Sequence, residues 1–265
     1  PLSLDKEGVS FLAAGEYNEN YLVRARDDDG REARLVFRLN RGSQVGMGDK
    51  QTAYEFGVLR AAQGSGVTPK PHAFMLPSDP ENPFGAGFLL MEHLPGKPLD
   101  YARDSAKAAQ VFARVHSQPL PDNNSKLPEI IVQADPVRDI AAESLGLLER
   151  YPGHPRQDVR KRLLEYHETI LDLAGLAETR KLFQDEPLVL ANTEVNSHNF
   201  LVDGEHARLV DWEKAVITHR HQDLGHFLVR TTTQWKTGHV YTPEQKREFL
   251  DIYRNRQSTG THQFN

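Results

Sequence analysis

Residues 187–213 read PLVLANTEVNSHNFLVDGEHARLVDWE. Two apolar runs, Leu188–Leu190 and Phe200–Val202, flank a polar loop from Asn192 to Asn199. Asp203-Gly204 then turns the chain into a third run, Ala207–Val210, which ends on Asp211. Strand, loop, strand, turn, strand is the order that such apolar runs and turn residues dictate. It delivers the carboxylate of Glu194, the amide of Asn199 and the carboxylate of Asp211 at strand ends. All three are oxygen donors and no thiol is among them, the set that hard cations such as Mg²⁺ prefer.

The segment resembles the catalytic segment of the aminoglycoside phosphotransferase and choline kinase-like family, which shares the protein-kinase fold. That family carries His-Gly-Asp, four residues, Asn, an apolar strand, a turn, and Asp-Trp/Phe-Glu. Asn199 keeps the spacing and Asp211-Trp212-Glu213 matches, while Asn192-Thr193-Glu194 stands where His-Gly-Asp would be. Asn196 and His198 replace a His and a Gly often seen between them. The resemblance implies an α+β, two-lobed protein-kinase-like fold. Residues 1–96 would form a nucleotide-binding lobe, an antiparallel five-stranded sheet with one helix. Residues 97–265 would form a larger, mainly helical lobe with the catalytic loop and substrate pocket. The implied activity moves the γ-phosphate of ATP or GTP to a hydroxyl of a small molecule such as an amino sugar or amino alcohol. Glu194 would orient the acceptor or take its proton, and Asn199 and Asp211 would hold Mg²⁺.

Glu194 keeps the charge of the family Asp, with an unperturbed pKa of ~4.3 against ~3.9. It reaches about one C–C bond farther, and a misplacement of about 1 Å can cost on the order of 100-fold in rate. The alternative is therefore a weak or inactive kinase-like protein that binds nucleotide and transfers nothing.

Toward the N-terminus, Val9–Ala14, Tyr21–Ala25 and Ala33–Leu39 have the β-branched and apolar content of strands. Arg26–Gly30 is a hairpin turn signal, and Gly15–Asn20 is a polar turn holding one Gly. In the resembled family that first turn covers the nucleotide phosphates, which makes Gly15 a candidate. Arg38 sits amid apolar neighbours, as an edge-strand charge or a buried and paired one, and Glu55 lies in a helical pattern from Asp49 to Gln63. The resemblance makes Arg38 the phosphate clamp and Glu55 its partner, and an Arg fork suits phosphate oxygens. A Gly/Pro-rich passage, 63–87, surrounds a short strand at His72–Leu76. Phe88–Met91 reads as a buried strand, and the resemblance places an adenine on the backbone of Glu92, His93 and Leu94. Pro95-Gly96 marks the lobe boundary.

Beyond it, helical patterns cover Ala106–His116, Pro136–Arg150, Gln157–Ala174 and Ala177–Phe183, with a loop at Pro119–Pro128. His219 opens a helical run toward Gln234, Thr242–Arg254 is another helix, and the tail from Gln257 looks frayed. His219, His221 and His226 form a rival cluster, which with a transition metal would indicate a metal-dependent hydrolase. Asp223 instead matches a family Asp-Leu/Pro-Ala element, in which the Asp caps a helix and hydrogen-bonds the catalytic loop.

The chain of 265 residues has no cysteine, which excludes disulfides and thiol nucleophiles. A formal net charge of −5 argues against nucleic acid as a partner. No apolar run approaches the ~20 residues that span a bilayer, and PLSLDKEGVS lacks signal-peptide order. These traits are those expected of a cytoplasmic protein with no membrane role, while the small-molecule substrate is what the resemblance implies; oligomeric state is left open.

Overall fold

The computed structural model describes residues 3–26, 29–43, 45–121 and 127–260. The expected five-stranded antiparallel sheet forms, from β1 (Ser3–Ala14), β2 (Asn18–Arg26), β3 (Glu32–Asn40), β4 (Pro71–Met75) and β5 (Gly87–Glu92), in the order β1-β2-β3-β5-β4. Side-chain alternation along β3 sets up the site. Leu35 packs with Val23 and Ala25 on one face. Val36 faces the other way, into the core with Leu89, Met91 and the helix α1 (Gln51–Ala62) residues Tyr54, Val58 and Leu59. Arg38 shares the Val36 face. Because β3 is paired on both sides, Arg38 is not an edge-strand charge.

The expected polar turn at 15–20 shrinks, since β2 begins at Asn18. Ladder bonds override composition there: Asn18 pairs with Asn40, Glu19 with Leu39, and Gly15 N–H closes the turn on the Asn18 carbonyl at 2.8 Å. Of the turn expected at Arg26–Gly30, Asp27 and Asp28 lie outside the described residues, as do residues 122–126 of the loop expected at 119–128.

After β5 the chain forms a short strand, β6 (Lys97–Pro98), paired with β8 (Phe200–Asp203). Gly96 has φ 142°, and a Cβ there would meet the Leu201 and Val202 backbone at 3.0 Å, so glycine is required at this crossing. Helix α2 (Tyr101–His116) starts five residues before its expected position because Asp100 caps it, accepting the Ala102 N–H at 2.9 Å. Helices α3 (Pro136–Arg150), α4 (Gln157–Gly175) and α5 (Ala177–Phe183) follow as expected. Then come β7 (Leu188–Ala191), β8, β9 (His206–Leu209) and β10 (Val216–His219).

β10 corrects the sequence reading, which opened a helix at His219. All four of its residues are buried, with Ile217 opposite Leu190 of β7, and helix α6 (His221–Leu228) begins only at His221. The run breaks again before α7 (Arg230–Thr237). The last helix, α8 (Pro243–Gly260), runs past the expected end at Arg254 and through the start of the tail thought frayed; residues 261–265 lie outside the described residues.

The rings of Phe112, Phe200 and Phe227 meet pairwise at 5.4 Å, Phe200 coming from the segment 187–213. Trp212, fully buried, donates its indole N–H to the Leu209 carbonyl at 2.9 Å. Phe200 follows Asn199 and Trp212 follows Asp211, so the core anchors the polar residues beside it; burying each such ring contributes roughly 1.5–3 kcal/mol. Among the described residues no helix is long and apolar enough to cross a membrane.

Candidate active site

The loop after β7 hangs from a buried carboxylate. Asp223, on α6 and fully buried, accepts the N–H groups of Asn192 (2.9 Å) and Thr193 (2.8 Å). His116 Nε2 lies 3.2 Å from the same carboxylate, and His116 Nδ1 lies 3.1 Å from the Tyr253 hydroxyl. Asp223 thus holds the loop backbone as the resemblance implied, but it lies inside α6 and does not cap that helix.

Asn192, which departs from the family His, has a physical role of its own. Its side-chain amide donates to the Asp211 carbonyl at 2.8 Å and accepts the Glu194 N–H at 3.1 Å, so it ties together the two segments that carry the carboxylates. Thr193 adopts φ 68°, the left-handed conformation that costs a non-glycine residue roughly 1–2 kcal/mol. Its hydroxyl offsets part of that by donating to the Lys214 carbonyl at 3.0 Å. Asp211 also has positive φ, 65°; two strained residues in one site is where such strain tends to be found.

Carboxylate oxygens of Glu194, Asp211 and Glu213 lie within 4.8 Å of one another. Burial raises the pKa of Glu194, the Asp211 charge raises it further, and Lys214 opposes the shift. Glu213 is raised by burial and by Asp211, against the pull of Arg38 and a hydrogen bond from the Asn18 amide. Three half-dehydrated carboxylates repel one another, and a hard cation among them would reverse that repulsion. The donor set therefore fits Mg²⁺. Asn199 joins the set at its edge: its Nδ2 donates to the Glu194 carbonyl at 2.7 Å, which leaves its amide oxygen as the ligand-capable atom. Glu213 was missed as a site residue, although the Asp-Trp-Glu match had contained it.

Arg38 and Glu55 do meet. Arg38 Nη1 lies 2.7 Å from Glu55 and 3.2 Å from Asp211, and Nε donates to Asn20 at 3.0 Å. Burial works against the Arg38 charge, yet Glu55, Asp211 and Glu213 outweigh it and leave the guanidinium pKa raised. Burial pushes Glu55 up to about 7 against the lowering pull of Arg38.

The remaining candidates are less engaged. Gly15 is exposed, and its N–H is used within its own turn. The Glu92 N–H donates to the Lys70 carbonyl (2.8 Å) and that of His93 to Arg34 (3.0 Å); Leu94 N–H alone of the three is engaged by no described protein acceptor. The histidine cluster does not assemble. His219 Nε2 donates to the Ala134 carbonyl at 3.1 Å, and both His219 and His221 pack on the Phe183 ring. His226 Nδ1 donates to the Thr193 carbonyl at 2.8 Å. Among the described residues the group able to hold a metal ion is the carboxylate trio, which removes the basis of the hydrolase alternative.

Residues 8–262 match the model of the phosphotransferase enzyme family. Compared by sequence alone, the chain has no significant match among curated proteins. Among solved structures it is similar to an ethanolamine kinase of Plasmodium vivax, with TM-score 0.65, 15% identity, and 95% of this chain and 69% of that one covered. It is similar to a choline kinase of Cryptosporidium parvum Iowa II, with TM-score 0.64, 15% identity, and coverage of 97% and 74%. It is also similar to the aminoglycoside phosphotransferase APH(2'')-IIa in ternary complex with streptomycin and ATP, with TM-score 0.60, 13% identity, and coverage of 97% and 81%. At these identities the likeness establishes the fold, and it is the protein-kinase-like one.

Proposed function

The chain belongs to the phosphotransferase enzyme family, and we propose that it moves the γ-phosphate of ATP or GTP to a hydroxyl of a small molecule. The observation that carries this reading is the convergence of Glu194, Asp211 and Glu213, with Arg38 fixed against Asp211. Glu194 accepts the proton of the attacking hydroxyl, and its raised pKa brings it nearer the working pH of a general base. Asn199, Asp211 and Glu213 hold Mg²⁺, which when bound neutralises charge on the phosphate oxygens. Arg38 orients Asp211 and offers its remaining N–H groups to phosphate, with Glu55 as its counter-charge. Leu94 N–H is the donor left for an adenine, and the turn at Gly15 covers the phosphates. The lobe boundary falls at Gly96, where the chain crosses the β8 backbone. A relative solved with ATP and streptomycin supports a nucleoside triphosphate donor, and a cytoplasmic site of action goes with that donor.

The inactive alternative is disfavoured by one observation. The longer Glu194 side chain brings its carboxylate into the cluster with Asp211 and Glu213 instead of overshooting it. The test is phosphate transfer from Mg-ATP and Mg-GTP across amino sugars, amino alcohols, sugars and hydroxy acids, with thermal stabilisation read in parallel. Stabilisation and transfer support the assignment; neither, across both nucleotides, would sink it.

A further inference from the structure

Helices α3 and α4 face each other without closing. Ala141, Leu145 and Leu148 of α3 and Val159, Leu163 and Ile170 of α4 recur at helical spacing and line a cavity of about 500 Å³. Such a volume, with apolar walls and a few polar groups, is what small-molecule sites have. Leu163 and Ile170 stay 43% and 38% exposed on those walls, so an apolar ligand would cover surface that the chain leaves to water. Helix α3 divides the cavity from the cleft lined by Thr193, Lys214 and Arg150, and its Ser144 and Leu147 line both.

The charged lining of the cavity has one sign. His154, Arg156, Arg160 and His167 contribute to it, and no Asp or Glu does. Arg156 is already matched, 2.9 Å from Asp158. Arg160 makes no ion pair among the described residues, and its buried Nε–H has no acceptor. His167 lies two helical turns farther along the same face, and its Nδ1 is buried and unpartnered as well. A buried donor left without an acceptor carries its desolvation cost, which a ligand oxygen would remove. A cationic ligand would meet Arg160 with like charge, and a neutral hydrocarbon would leave both nitrogens unmatched. Glu165, Glu168 and Asp172 are exposed on α4 outside the cavity and would repel an anionic bilayer, which leaves a soluble acid as the fitting occupant.

We propose that this cavity is a second ligand site, separate from the transfer site, for a soluble amphipathic monocarboxylate. Its hydrocarbon chain lies between α3 and α4, and its acid group takes the Arg160 guanidinium, a charge-assisted bond, with His167 beside it. The inference goes beyond the phosphotransferase reading and does not depend on it.

The test measures binding of octanoate, octanol and octylammonium by isothermal titration calorimetry, with hexanoate and decanoate as a chain-length series. Octanoate should bind about tenfold or more tighter than octanol or octylammonium. Affinity should rise up to about fourfold for each methylene added from hexanoate to decanoate. Arg160→Met should weaken octanoate about tenfold and leave octanol unchanged, whereas Leu163→Trp, which fills the cavity, should weaken both. Both side chains are part-exposed, so the variants should fold and keep the wild-type thermal response to Mg-ADP. If either does not fold, the head-group and chain-length series on the wild-type chain decides. No binding of octanoate, equal affinity for octylammonium, no dependence on chain length, or an unchanged octanoate affinity in Arg160→Met would each overturn the proposal. So would a dimer in sedimentation that Leu163→Asp disperses, which would give the face to a second copy. Binding only to phosphatidylglycerol vesicles would overturn it in favour of a membrane.

Discussion

Arg38 Nη1 lies 3.2 Å from Asp211 Oδ1 although 173 positions separate the two residues, and the same nitrogen lies 2.7 Å from Glu55. One buried guanidinium therefore joins the central strand of the sheet, the helix packed on it and the residue that follows β9 and Val210. Removing it would leave two carboxylates facing each other, one of them with a side chain only 2% exposed. Arg38→Met should destabilise the chain by about 3–5 kcal/mol in urea unfolding, the cost of breaking a buried pair from one side. Arg38→Met combined with Glu55→Leu should recover most of that loss. A single-variant loss below about 1 kcal/mol would mean that the pair is hydrated.

Glu194→Gln keeps shape and removes the proposed proton acceptor, so phosphate transfer should fall by roughly 10²–10⁴-fold. Because burial and Asp211 disfavour its charge, the variant should melt no lower than wild type. Glu194→Asp, shorter by one methylene in a loop shaped around Glu, should lose on the order of 100-fold. Wild-type rates in the Gln variant would exclude Glu194 as the base.

The carboxylate trio also sets a pH dependence. Glu194 and Glu213 have folded pKa values raised above the unfolded value of ~4.3. Their contribution to stability is thus full below that value and is lost as pH rises through the raised folded ones. Mg²⁺ bound among them should compensate only where they are ionised. The rise in Tm on adding Mg²⁺ should accordingly be larger at pH 8 than at pH 5, read by differential scanning fluorimetry. An equal shift at both pH values would count against the trio as the cation site.

Asp223→Asn replaces one acceptor of the Asn192 and Thr193 N–H groups with a second donor in a fully buried position. Stability should drop by about 3 kcal/mol, since an unmatched buried donor carries its full desolvation cost. Transfer rate should drop with it, because the loop that carries Glu194 loses its anchor. A variant that keeps stability and rate would show that the loop is held elsewhere.

Asn192 and Thr193 show how the sequence could mislead. Read along the chain they were departures from a pattern. Folded, Asn192 bridges Glu194 to Asp211, and Thr193 takes a left-handed conformation that a glycine would adopt without strain. The signal for neither role is local, since it depends on which carbonyl lies across the gap.

By itself the sequence determined the strands around Glu194, the spacing to Asn199 and Asp211, and the helix that carries Glu55. Each follows from period-two alternation, helical periodicity or turn chemistry within a few residues, and these act at short range. Only tertiary structure decided that Arg38 is interior, that Glu213 turns into the cluster, that His219 closes a strand against β7, and that Lys214 and Arg150 share a cleft. Those outcomes depend on ladder bonds and charge contacts between segments far apart in sequence, where no local period carries the information.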